Sequence, residues 1–132
     1  RETTIISELK VLRASYYYLL DDLFGNVPII TKFDVPAGYL PEQSTRKEVY
    51  EFIIQELTEN IPNLSEEVNS EYYGRFNKWA GYTLLAKMYL NSEIFSDGAH
   101  KDYVLVGRKH FCTCHTIPQK HRLSPRHIGR RQ

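Results

Sequence analysis

Three groups of side chains in this chain have types that could do chemistry. Asp21 and Asp22 are adjacent carboxylates. His110, Cys112, Cys114, His115, His121 and His127 crowd its last quarter. Tyr16-Tyr17-Tyr18, Phe33, Tyr39 and Tyr72-Tyr73 offer rings on which a sugar could stack. Hydrolysis of a glycosidic bond needs two carboxyl groups about 5–10 Å apart, on either side of that bond. Neighbours on a helix point in different directions. Asp21 and Asp22 therefore read as solvent-exposed or ion-paired, not catalytic. The sequence holds no G-x-S-x-G, no H-E-x-x-H and no phosphate-cradling glycine loop. The expectation is a protein that is not an enzyme, with no catalytic residue.

The Cys/His group invites a zinc reading. Cys112-x-Cys114 is not the usual C-x₂-C knuckle, and no second half carries matching spacing. A disulfide between residues two apart is strained. We expect no metal and no cofactor. The basic residues around the group lack interleaved aromatics and a reading module, so no nucleic-acid partner is expected.

The rings divide by position. Three successive helical residues spread over about 200°, and Tyr16 falls on the apolar face, so packing is the expected role of that run. Phe33, Tyr39, Tyr72 and Tyr73 lie in loops, where binding residues concentrate. Hydrophobic anchoring of the loops is nevertheless the expectation, and no ligand-binding residue is assigned. Arg13, at mid-helix, is expected to pair with a carboxylate or helix-end carbonyls. Arg75 and Lys78 read as structural. Asn63-Leu64-Ser65 matches a glycosylation sequon, a triplet frequent by chance.

Helices must position these groups. Ile5, Leu9, Leu12, Tyr16, Leu19, Leu20 and Leu23 recur at helical spacing and predict a helix over 3–24 with that stripe buried. Gly25 and Pro28 end it. Pro28, Pro36 and Pro41 keep residues 25–43 extended. Thr45 and Glu48 have capping-box spacing, and Val49, Phe52, Ile53, Leu57 and Ile61 form a second stripe that stops at Pro62. Residues 63–74 read as a loop. Asn77 is a good N-cap, and Trp79, Tyr82, Leu85 and Tyr89 mark a third helix, with Met88 alongside, running to about Phe95. Small Ala80, Gly81 and Ala86 permit close helix approach. The fold class expected is all-α, with TPR-like or α-solenoid helix pairs.

Three stretches carry a family resemblance. LRASYYYLLDDLFGNVPIIT (12–31) resembles a helix that runs from an Arg-Ala-aromatic cluster into a Phe/Tyr-Gly-x-Val-Pro turn. STRKEVYEFIIQELTENIPNL (44–64) resembles the next helix, opened by Ser/Thr-Arg-x-Glu-Val-Tyr and closed by Ile-Pro-x-Leu. YGRFNKWAGYTLLAKMYLNSEIF (73–95) resembles Gly-Arg-x-Thr-Lys-x-Ala-Ala followed by Leu-Leu-Ala-Lys-Val-Tyr-Leu, with Asn77 for Thr and Gly81 for Ala. In that order they are similar to the SusD/RagB-like nutrient-uptake proteins. The resemblance implies a slice of a larger helical domain. It implies capture of an oligosaccharide or other nutrient for a TonB-dependent SusC-like transporter. It also implies surface attachment at the outer membrane through a lipid anchor absent from this chain. The rival reading is a generic TPR-like protein-interaction module that binds no sugar.

The chain changes character near its end. Residues 1–99 carry 9 Lys/Arg against 15 Asp/Glu, a net of −6, while residues 100–132 carry 8 against 1, a net of +7. All five His and both Cys lie in the second part. We therefore divide the chain into a helical fragment, 1–96, and a basic tail, 97–132. The tail is expected to be a non-native, frame-shifted or disordered peptide. The chain opens at Arg1 with no charged leader and apolar run, so an inner slice without its signal peptide is expected.

Overall fold

The computed structural model describes residues 2–36 and 38–101. Four α-helices follow one another: α1 Glu2–Phe24, α2 Arg46–Asn60, α3 Lys78–Leu90 and a short α4 Ser92–Phe95. Short 3-10 turns occupy Ile61–Asn63 and Ser70–Tyr72. Among the described residues there is no strand.

Local signals set the ends. Gly25 sits at φ +72, and its N–H donates to the Asp21 carbonyl at 3.0 Å, the left-handed stop that the sequence predicts. Thr45 caps α2 in a complete capping box. Its N–H donates to Glu48 Oε2 at 2.7 Å, and its hydroxyl accepts from the Glu48 N–H at 3.4 Å. Asn77 caps α3, its side-chain oxygen accepting from the Ala80 N–H at 2.9 Å.

The core lies between α1 and α2 and is closed by α3 and α4. Val49, Ile53, Leu57 and Ile61 are buried as the second stripe predicts, and Tyr50 joins them. Phe52 is half-buried, edge-on to Tyr17 with ring centroids 5.2 Å apart. Arg13 pairs with Glu56 at 2.6 Å, the carboxylate partner expected for it. Arg75 binds Glu8 at 2.8 Å and Lys78 binds Glu66 at 2.7 Å. Both pins hold the 63–77 loop segment and the start of α3 in place.

α1 corrects the expected orientation. Its large stripe faces outward: Ile5, Leu9, Tyr16, Leu19 and Leu23 are 51%, 59%, 61%, 48% and 72% exposed. Ser7, Val11, Ala14, Tyr17 and Asp21 are buried instead. Small side chains such as Ser7 and Ala14 let α2 approach closely, and the bulkier face is left exposed. Tyr17, not Tyr16, is therefore the core tyrosine. α3 shows a smaller correction. Gly81, Leu84, Leu85 and Met88 are its buried residues, while Trp79, Tyr82 and Tyr89 are half-buried. The helix also stops at Leu90, where Asn91 turns the chain into α4, short of the expected Phe95.

Beyond α4 the chain reverses through Asp97 (φ 51) and Gly98 (φ 81). His100 Nε2 then lies 3.1 Å from the Glu51 carboxylate on α2. The metal-ligand candidates from His110 to His127 lie outside the described residues.

Candidate ligand-binding site

The segment between α1 and α2 is held at several points. The Tyr17 hydroxyl accepts from the Ile30 N–H at 2.9 Å and donates to the Ile30 carbonyl at 3.3 Å. Ser44 N–H donates to the Val27 carbonyl at 3.2 Å, and Val27 is buried. Gln43 donates to the Asn26 carbonyl at 2.8 Å, and the Arg46 N–H donates to Asn26 Oδ1 at 2.9 Å. The Tyr39 N–H closes a turn onto the Pro36 carbonyl at 3.0 Å, with Gly38 at φ +91. A long connection is costly to order unless it is tied down, and these bonds tie it at its base.

The segment curves around an open hollow of about 440 Å³. Ile29, Ile30, Val35 and Pro36 supply apolar wall, Tyr39 supplies a ring, and Thr31, Lys32 and Asp34 supply polar groups. That volume lies within the usual range for small-molecule sites. Lys32 and Asp34 make no hydrogen bond or ion pair among the described residues. Cation, carboxylate, hydroxyl and ring meet in one place, suited to non-covalent capture of a polyhydroxylated ligand.

The other candidate residues separate. Phe33 is 105% exposed and Tyr73 is 92% exposed, so neither anchors its loop; Tyr39 is about half-exposed. Tyr72 is half-buried beneath the Arg75 guanidinium, 4.8 Å from its ring centroid. Tyr18 is half-buried and meets Phe95 edge-on at 5.9 Å. Asp21 is fully buried, whereas Asp22 is exposed. Arg46 Nε lies 3.6 Å from Asp21 Oδ1, and its guanidinium sits over the Phe95 ring at 5.3 Å. Burial pushes the Asp21 carboxyl up to about 6, against the pull of Arg46. This carboxyl faces Arg46 of α2, whose guanidinium in turn reaches α4. Thr31, Lys32 and Asp34 carried no motif in the sequence; only the fold of the loop brings them beside Tyr39.

The architecture is that of a piece of a TPR-like helical body. A family model described as SusD-like, starch-binding and associating with the outer membrane matches residues 3–90. The starch-binding protein SusD of Bacteroides thetaiotaomicron is 32% identical over 90 residues, covering 68% of this chain and 16% of that protein. A SusD-like protein of Bacteroides ovatus is 30% identical over 105 residues, covering 76% of this chain and 18% of that protein. Among solved structures, a laminarin-binding SusD-like protein superposes with TM-score 0.64 at 34% identity, over 71% of this chain and 21% of that one. A SusD-like carbohydrate-binding protein of Bacteroides fragilis has the same fold, with TM-score 0.64 at 22% identity, over 80% of this chain and 21% of that one. This chain belongs to the SusD-like family. It spans about a sixth of the length of the curated relatives it matches.

Proposed function

We propose that this chain is part of a glycan-binding component of an outer-membrane uptake complex, working with a TonB-dependent SusC-like transporter. Its role is capture by shape, ring stacking and hydrogen bonds, with no bond-making chemistry. The observation that carries this reading is the family match across residues 3–90. Two relatives are named for glucan ligands, starch and laminarin, so glucans are the first ligands to try. Attachment to the outer membrane would come from a lipid anchor. Among the described residues no helix is long and apolar enough to cross a membrane.

Calorimetry of the full-length gene product against malto- and laminari-oligosaccharides tests the reading, together with co-purification of a transporter. Saturable heat with either glucan is expected. A full-length protein that binds no glycan on a broad array would overturn it. The exposed outer face of α1 favours a second reading, a TPR-like module that binds another protein's helix. Capture of a helical peptide without any glycan would select that reading.

A further inference from the structure

We propose that the hollow between Ile29 and Tyr39 is a subsite for one neutral pyranose unit of a glycan. The inference rests on the glycan-binding reading and assigns it a place in this chain. Its size is the first argument: about 440 Å³ accommodates a sugar ring with its hydroxyls and leaves the chain ends free to continue outward. The lining is the second. A pyranose has a face of C–H groups that carry slight positive charge, and an aromatic ring face carries the complementary negative quadrupole. Tyr39 is 57% exposed, which leaves ring area open to such a contact. The rim of the same ring also needs hydrogen-bond partners. The Asp34 carboxylate accepts from adjacent hydroxyls, the Lys32 ammonium donates to them, and Thr31 does either. All three line the hollow.

Charge supports a neutral ligand. One cation and one carboxylate balance there, so the hollow offers no net charge to favour an ionic sugar. Preorganisation is the last argument. Tyr17 fixes Ile30 at one wall, and the Asn26 bonds to Gln43 and Arg46 tie the ends together. Less freedom is then lost when the ligand arrives. Phe33 lies outside the lining, fully exposed, and is not needed by the subsite.

Saturation-transfer difference NMR on the 132-residue chain, with maltoheptaose and laminariheptaose as probes, tests this. Transfer to sugar ring protons is expected with the wild type. Tyr39→Ala and Asp34→Ala should each weaken binding by about tenfold or more, with helix content checked by circular dichroism. Tyr73→Ala removes a still more exposed ring from the other loop and should change nothing. Equal transfer in wild type and Tyr39→Ala would overturn the subsite. So would absence of transfer in a wild-type sample whose helix content matches the fold, because the described lining of the hollow lies within residues 29–36 and Tyr39. Binding of a peptide alone would also overturn it. Glucan binding by the full-length protein is a separate measurement, so the subsite can fail while the glycan-binding reading stands.

Discussion

Two carboxyls respond to pH in opposite senses. Asp21 is buried against Arg46 and titrates near 6, above its ordinary 3.8. Between those values the folded chain holds a proton that the unfolded chain has released. Its contribution to stability therefore falls as pH rises from about 4 to about 6, and the burial penalty is full above that. Two pKa units correspond to an effect on the order of 1–3 kcal/mol. Glu48 has the reverse sign. Its bonds from the Thr45 N–H and hydroxyl hold it below its ordinary 4.5. The stabilisation it gives is present above that value and is lost as pH falls through the folded pKa. Asp21→Asn should flatten the difference in urea stability between pH 4 and pH 6 relative to wild type; parallel curves for the two proteins would refute the assignment. Tyr17→Phe tests the loop anchor. It removes both bonds to Ile30, and a loss of about 0.5–1.5 kcal/mol is expected. Faster amide exchange at Ile30 should accompany it, and unchanged exchange would show the hydroxyl to be idle.

Close approach between elements also makes a prediction. A Cβ at Gly81 would sit 2.8 Å from Ile61 Cγ1, closer than real contacts allow. Gly81→Ala gains up to about 1 kcal/mol of helix propensity and loses about 1–3 kcal/mol to overpacking, so a net loss of about 1 kcal/mol is expected. Ile61→Val should recover part of it, and the double-mutant cycle should show coupling between the sites. Purely additive effects would mean that the helices simply move apart. The contrast between α2 and α1 shows what the sequence made legible. Thr45, Glu48 and the Val49-to-Ile61 stripe predicted α2 correctly because its cap is local and its partners lie in this chain. The spacing predicts where α1 runs but not which face it buries. The helix carries two seams at helical spacing: Ile5, Leu9, Leu12, Tyr16, Leu19, Leu23 and, on the opposite side, Ser7, Val11, Ala14, Tyr17, Asp21. The first is bulkier and drew the assignment, while close approach to α2 selects the second. The hollow was less legible still. Tyr39 could be noticed as a loop aromatic, but Lys32 and Asp34 meet it only through tertiary folding.

The outer seam of α1 decides how the whole chain behaves in water. Its steps of four and three repeat across Ile5 to Leu23, the heptad pattern by which helices pack side by side. Leu9, Leu12, Tyr16 and Leu20 also shape a groove of about 440 Å³ with Ile30. Every large residue of this seam is more than a third exposed, a row of apolar side chains of the kind that marks an interaction surface. A helix with bulky side chains on one face and small ones on the other is suited to the middle of a stack, with neighbours on both sides. The chain spans only about a fifth of its structural relatives, so such neighbours have ample sequence to come from in a longer protein. Among the described residues nothing covers the strip, and other copies of the chain can. Sedimentation velocity of the 132-residue chain should therefore show association that grows with concentration, together with a broad, marginal thermal transition. Leu9→Lys combined with Leu19→Lys should reduce association without loss of helix content, because both side chains point away from the core. Full-length protein, in which further helices can cover the strip, should sediment as a discrete species. A wild-type chain that stays monomeric through a sharp, reversible transition would mean that the outer seam needs no cover, and the reading of α1 as a mid-stack helix would fall.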